Sequence, residues 1–111
     1  MTPAGLLHPT DDMDASVAFF RDVLGLKEKF RDGDRYCAFD YGGQTLGLVG
    51  GAEKIVTATA LVLRVADVPA AMATLTAGGA QVLAPAEEGP HEVRAVLRGP
   101  DGGQVVLSAR K

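Results

Sequence analysis

Asp12 and Asp67 open two similar passages of this chain. Each precedes a run in which apolar residues recur at helical intervals, and each stands where a carboxylate can accept hydrogen bonds from the free amides of a first helical turn. Superimposing the two aspartates brings Ala15 onto Ala70, and superimposing Gly42-Gly43-Gln44 on Gly102-Gly103-Gln104 aligns the strands that follow. This duplication is the tightest constraint on the fold, because a unit with one helix can cover only one face of its own sheet.

The elements between those markers follow one order twice. Leu6 to Thr10 predicts a strand, and DMDASVAFFRDVLGL predicts a helix with Met13, Val17, Phe20, Val23 and Leu24 on its apolar face and Gly25 as a left-handed stop. Strands are expected at Lys27 to Phe30, Tyr36 to Tyr41 and Thr45 to Val49, joined by turns at RDGDR and Gly42-Gly43. After a link at Gly50 to Lys54, ALVLRV is a strand and VPAAMATLTAGG a helix with Pro69 tolerated in its first turn. AQVLAP, EVRAVLR and QVVLSA complete the strands. The expectation is an α+β domain spanning 1–111, built from two tandem βαβββ modules at about 4–51 and 57–109. Together they would form a curved, cup-shaped mixed sheet with helices on the convex side, and the cup suits a small molecule.

Composition excludes several functions. No apolar run approaches the ~18 residues of a membrane span. Net charge is −3 and no basic cluster is interleaved with aromatic residues, so nucleic acid is not an expected partner. The Gly-Gly pairs read as turns and not as phosphate loops. The N-terminal stretch has neither the basic region nor the apolar core of a secretion signal, so a cytoplasmic location is expected. Cys37, the single cysteine, can form neither an intrachain disulfide nor a cysteine metal cluster and reads as a small buried hydrophobe.

Strand alternation assigns side chains to the cup. In the first half these are Leu7, Tyr36, Ala38, Asp40, Gln44, Leu46 and Leu48; in the second, Val62, Arg64, Arg94, Val96, Arg98, Gln104, Val106 and Ser108. Arg64 and Arg94 can fork onto a carboxylate, phosphate or enolate, or pair with Asp40 or a loop glutamate. Tyr36 and Tyr41 can stack on a ligand, but aromatic content of 5% without tryptophan suits no large flat one. His8 should face the helix layer with Leu6 and Thr10, a ligand contact being the lesser alternative. His91 belongs either at the mouth of the cup or in a solvated loop, and Glu87, Glu88 and Glu92 read as a surface acidic cluster.

DMDASVAFFRDVLGL combines an acidic cap, a small-residue turn, an aromatic pair and a closing Leu-Gly, and GPDGGQVVL is similar to the closing turn Asp-Pro-Asp-Gly-Asn with its strand. With the duplicated order, these motifs resemble the vicinal oxygen chelate superfamily of glyoxalase I, extradiol dioxygenases and bleomycin-resistance proteins, over nearly the whole chain. The resemblance implies a divalent metal held by His and Glu from four sheet positions. Here those positions fall on Gly5, Ala60, Val106 and Leu46, or Leu48 if the strand slips by two. None carries a ligating side chain.

The preferred expectation is therefore a member without the family's metal or other cofactor. It would bind a small organic molecule, including an anionic one, in a sequestering or accessory role, and would be a homodimer. A second reading is an enzyme: a lyase, isomerase or dioxygenase of the glyoxalase type. It would use either a displaced metal set with His8 and His91, or metal-free acid/base chemistry with Tyr36, Asp40 or Arg94. A third is a non-catalytic interaction module whose cup is filled by its own side chains.

Overall fold

The computed structural model describes residues 1–111. Its elements run β1 (Thr2–Pro9), α1 (Met13–Ala18), β2 (Lys27–Asp32), β3 (Tyr36–Tyr41), β4 (Gln44–Val49), β5 (Ala60–Arg64), α2 (Val68–Ala77), β6 (Gln81–Glu88), β7 (Glu92–Arg98) and β8 (Gln104–Arg110). Two compact units divide the chain: Gly5–Thr59, and Ala60–Lys111 with Met1–Ala4.

In the Gly5–Thr59 unit the strand order is β2-β3-β4-β1, with β1 parallel to β4 and the other pairs antiparallel. Asp12 caps α1 as expected. Its backbone is extended and its carboxylate accepts from the Ala15 N–H at 3.1 Å. The end of this helix differs from its sequence pattern. Phe19–Val23 form a π-helical turn, and the Leu24 N–H donates to the Phe19 carbonyl five residues back. The wider turn rotates Val23 and Leu24 off the apolar stripe, leaving them 70% and 52% exposed, while Leu26 packs against the core with Phe20. That core consists of Met13, Val17, Cys37, Phe39, Leu46 and Leu48. Phe39 and Leu48 have no exposed surface, so each contributes about 1.5–3 kcal/mol of apolar burial.

The Ala60–Lys111 unit has the order β5-β8-β7-β6, with β5 parallel to β8. Asp67 repeats the cap, accepting from the Ala70 N–H at 3.0 Å, and Pro69 lies in the first turn of α2. Val68, Ala71, Ala95, Leu97, Leu107 and Ala109 form the core between helix and sheet, with Leu63, Val65 and Val105 packed against it. The outer strand β6 is longer than the sequence indicates and carries two register irregularities, between Val82 and Ala84 and between Ala84 and Glu87. Bulges with Pro85 blunt this edge against pairing with a further strand. No helix is long and apolar enough to cross a membrane.

Candidate functional site

Each unit has one sheet face covered by its helix, and the other face carries the candidate residues. In the Gly5–Thr59 unit, the register Leu7↔Gly47, Ala38↔Gly47, Asp40↔Thr45 and Tyr36↔Val49 puts Leu7, Tyr36, Ala38, Asp40, Thr45, Gly47 and Val49 on the helix-free side. Gly47 is what lets this face close: a Cβ there would lie 2.8 Å from Tyr36 Cε1 and 3.0 Å from Leu7 Cδ2. The tyrosine ring thus rests on a bare stretch of backbone, with Phe30 beside it at a centroid separation of 6.4 Å. Asp40 is committed elsewhere, its carboxylate accepting from the Gly43 N–H at 3.0 Å and holding the hairpin turn. Lys29 reaches the same face and donates to Thr45 Oγ1 at 2.7 Å.

Leu46 and Leu48 do not belong to this face. They pair with Phe39 and Cys37 and pack in the core under α1. The overlay of the two Gly-Gly-Gln turns misplaces them, because the hairpins differ in length. Tyr41 pairs with Gln44 across two glycines, whereas Arg98 pairs with Gln104 across Gly99 to Gly103. Matching the parallel pairs instead, Gly5↔Thr45 with Ala60↔Gln104, makes Gly47 the counterpart of Val106. The alternation in TLGLV, with its larger apolar side chains at 46 and 48, was the available signal for this correction.

In the Ala60–Lys111 unit the helix-free face is laid out in rows across β5, β8 and β7: Ala60, Gln104 and Arg98; Val62, Val106 and Val96; Arg64, Ser108 and Arg94. Val96, Val106 and Ser108 are 3%, 1% and 3% exposed, and Ala38 in the other unit is 7% exposed. These four are floor and not contact surface, a correction to their assignment as lining that a ligand touches. Val62, Arg64 and Arg94 are half-buried and keep accessible area. The Ser108 hydroxyl donates to Glu92 Oε2 at 2.5 Å, and Arg94 Nε lies 3.6 Å from Glu92 Oε1. Glu92 is thus part of this network and not of a free acidic cluster, a role the sequence pattern did not reveal. Arg64 differs from Arg94: its Nε is buried and has no hydrogen-bond partner.

The two histidines have separate surroundings. His8 Nδ1 is 2.6 Å from Thr59 Oγ1, and its ring meets Phe20 edge-on at 5.5 Å, on the side of the Leu46–Leu48 core. His91 is exposed in the turn between β6 and β7, and its carbonyl accepts from the Lys111 N–H at 3.2 Å.

Residues 5–107 match the model of the Glyoxalase/Bleomycin resistance protein/Dioxygenase superfamily. The chain belongs to this superfamily. An uncharacterized protein of Mycolicibacterium smegmatis is 33% identical over 99 residues, which cover 88% of this chain and 84% of that one. Among solved structures, a superfamily member from Vibrio splendidus 12B01 superimposes with a TM-score of 0.70 at 18% identity, covering 94% of this chain and 95% of the other. An NAD-dependent benzaldehyde dehydrogenase from Legionella pneumophila gives a TM-score of 0.76 at 16% identity, covering 98% and 100%. At these identities the structural likeness speaks for the fold alone.

Superfamily membership raises the question of a metal, and the donor set does not fit one. The positions implied by the sequence motifs hold Gly5, Ala60 and Val106, and register supplies Gly47 as the fourth. No cluster of three or more His, Cys, Asp or Glu residues is placed to hold a metal ion. At Gly5 the backbone excludes any side chain: φ is +126°, and a Cβ would lie 2.1 Å from the Thr45 carbonyl oxygen.

Proposed function

We propose that this superfamily member binds a small organic molecule on a helix-free sheet face without a divalent metal, in a sequestering or accessory role. The observation that carries the reading is Gly5. A missing donor can be replaced by one substitution, but at this position the backbone of β1 and β4 is drawn together where a ligand side chain would begin. Support for binding comes from the chemistry left accessible. On the Gly5–Thr59 unit Leu7 and Tyr36 offer apolar surface; on the Ala60–Lys111 unit Val62 offers apolar surface and Arg64 and Arg94 add polar, charge-bearing groups. His8 is engaged with Thr59 and Phe20, and Asp40 with its own turn, which argues against either as the base of a metal-free reaction.

Native mass spectrometry of protein purified from its own host tests the proposal. The expected spectrum shows an organic adduct and no metal, and reports whether the chain is the homodimer expected of it. A metal adduct in stoichiometric amount, or a chain that carries no organic molecule under any expression condition, overturns the reading. The His8→Ala/His91→Ala double variant should keep full ligand occupancy.

A further inference from the structure

Arg64 is the group on the helix-free face that the protein leaves unfinished. It ends β5 in a row with Ser108 and Arg94, so the three side chains start from the same side of three adjacent strands. The other two are satisfied locally through Glu92: Ser108 donates to one carboxylate oxygen and Arg94 lies against the other. Arg64 Nε is shut off from water with nothing to donate to. A buried donor left without an acceptor is destabilising, and one on a charged group more so, which is why such groups are rare unless something outside the chain completes them. The Arg64 side chain as a whole is only half-buried, so part of it keeps accessible area. The depression of about 610 Å³ that it borders with Met1, Thr2, Val65, Asp67 and the first turns of α2 lies toward the helix and is a separate surface.

Building on the ligand-binding reading above, we propose that the bound molecule is a carboxylic acid and that Arg64 is the residue that receives its carboxylate. A guanidinium presents Nε–H and one terminal N–H in parallel, a spacing that matches the two oxygens of a planar carboxylate. Half-buried Val62, one row away on the same strand, borders the arginine with apolar surface, which suits an acid with a hydrocarbon body. Glu92 lies against Arg94, which leaves Arg64 as the guanidinium in this row with an Nε–H still to be satisfied.

The test uses the full chain and three probes in calorimetric titrations: phenylacetate, its neutral isostere phenylacetamide, and inorganic phosphate. The acid should bind at least about tenfold more tightly than the amide, and phosphate more weakly than the acid. Arg64→Gln should bring the acid to the level of the amide, and Arg64→Lys should lose most of the preference, because an ammonium lacks the fork. Arg21→Gln, which removes the same charge from the helix side, should bind as the parent does. Arg64→Met should melt at or above the parent temperature, since it removes an unsatisfied donor; a purely structural arginine would lower it. The assignment is overturned if acid and amide bind alike, if Arg64→Gln keeps the preference, if phosphate outcompetes the acid, or if neither acid nor amide binds. Saturable binding of the amide alone would leave the proposed function standing and remove this inference. A resident metal would do the reverse.

Discussion

Replacing Gly5 by alanine adds one methyl group, yet it should be among the most damaging small changes available to this chain. The new Cβ would sit 2.1 Å from the Thr45 carbonyl oxygen, more than 1 Å inside ordinary contact distance, and the obstacle is backbone, which cannot swing aside. Holding an L-residue at φ +126° costs about 1–3 kcal/mol. Relieving the overlap by parting β1 from β4 strains the surrounding packing by about 1–3 kcal/mol, and a backbone hydrogen bond lost there is worth about 1 kcal/mol. The sum, about 3–7 kcal/mol, corresponds to a fall in Tm of at least about 12 °C at roughly 4 °C per kcal/mol for a domain of this size. Two controls bracket it. At Gly42 φ is +62° and a Cβ would meet nothing within 4 Å, so Gly42→Ala should cost about 1 kcal/mol. At Gly47 the obstacles are the ends of the Tyr36 and Leu7 side chains, which can tilt away, so Gly47→Ala should cost about 1–2 kcal/mol. Thermal and urea unfolding followed by circular dichroism would rank the three. A Gly5→Ala protein as stable as Gly42→Ala would refute the claim that the backbone excludes a side chain at this position.

Asp67→Ala removes a helix cap and should cost about 0.5–2 kcal/mol; Asp12→Ala should cost a similar amount, read as shifts in urea midpoint. Phe39→Ala, at a position with no exposed surface, should cost about 3–5 kcal/mol, a large fraction of an ordinary domain's stability, read as a fall in urea midpoint. Burial raises the Cys37 thiol above its usual range. A thiol reagent should therefore label the native protein at the rate of unfolding, independent of reagent concentration at saturation. Because the folded-state value is the higher one, the thiol's contribution to stability is complete below the range in which an unfolded cysteine ionises. It is lost as pH rises through the folded-state value, so alkaline and not neutral pH should weaken the fold.

The architecture was legible because its signals are local and occur twice. Asp12 and Asp67 cap their helices through the same contact, and the strands at Tyr36 to Tyr41 and Glu92 to Arg98 have the bounds that alternation implies. What was not legible depends on spacing that no local rule carries. The π turn at Phe19 to Val23 cannot be read from an apolar stripe that assumes a constant 3.6-residue period, so Val23 and Leu24 were misplaced. The unequal hairpins shifted β4 by one residue, which in a strand exchanges its two faces and sent Leu46 and Leu48 to the wrong side. The state of Arg64 was beyond sequence reading, since the burial of its Nε without an acceptor depends on packing between residues distant in the chain.

The proposed function requires that this member of the superfamily work without the divalent metal that its motifs imply. Incubating the purified chain with nickel, cobalt or zinc, removing excess ion and measuring stoichiometry by elemental analysis tests it directly. Metal content should stay well below one ion per chain for all three. One tightly held ion per chain, surviving dialysis and absent from the His8→Ala/His91→Ala double variant, would contradict it.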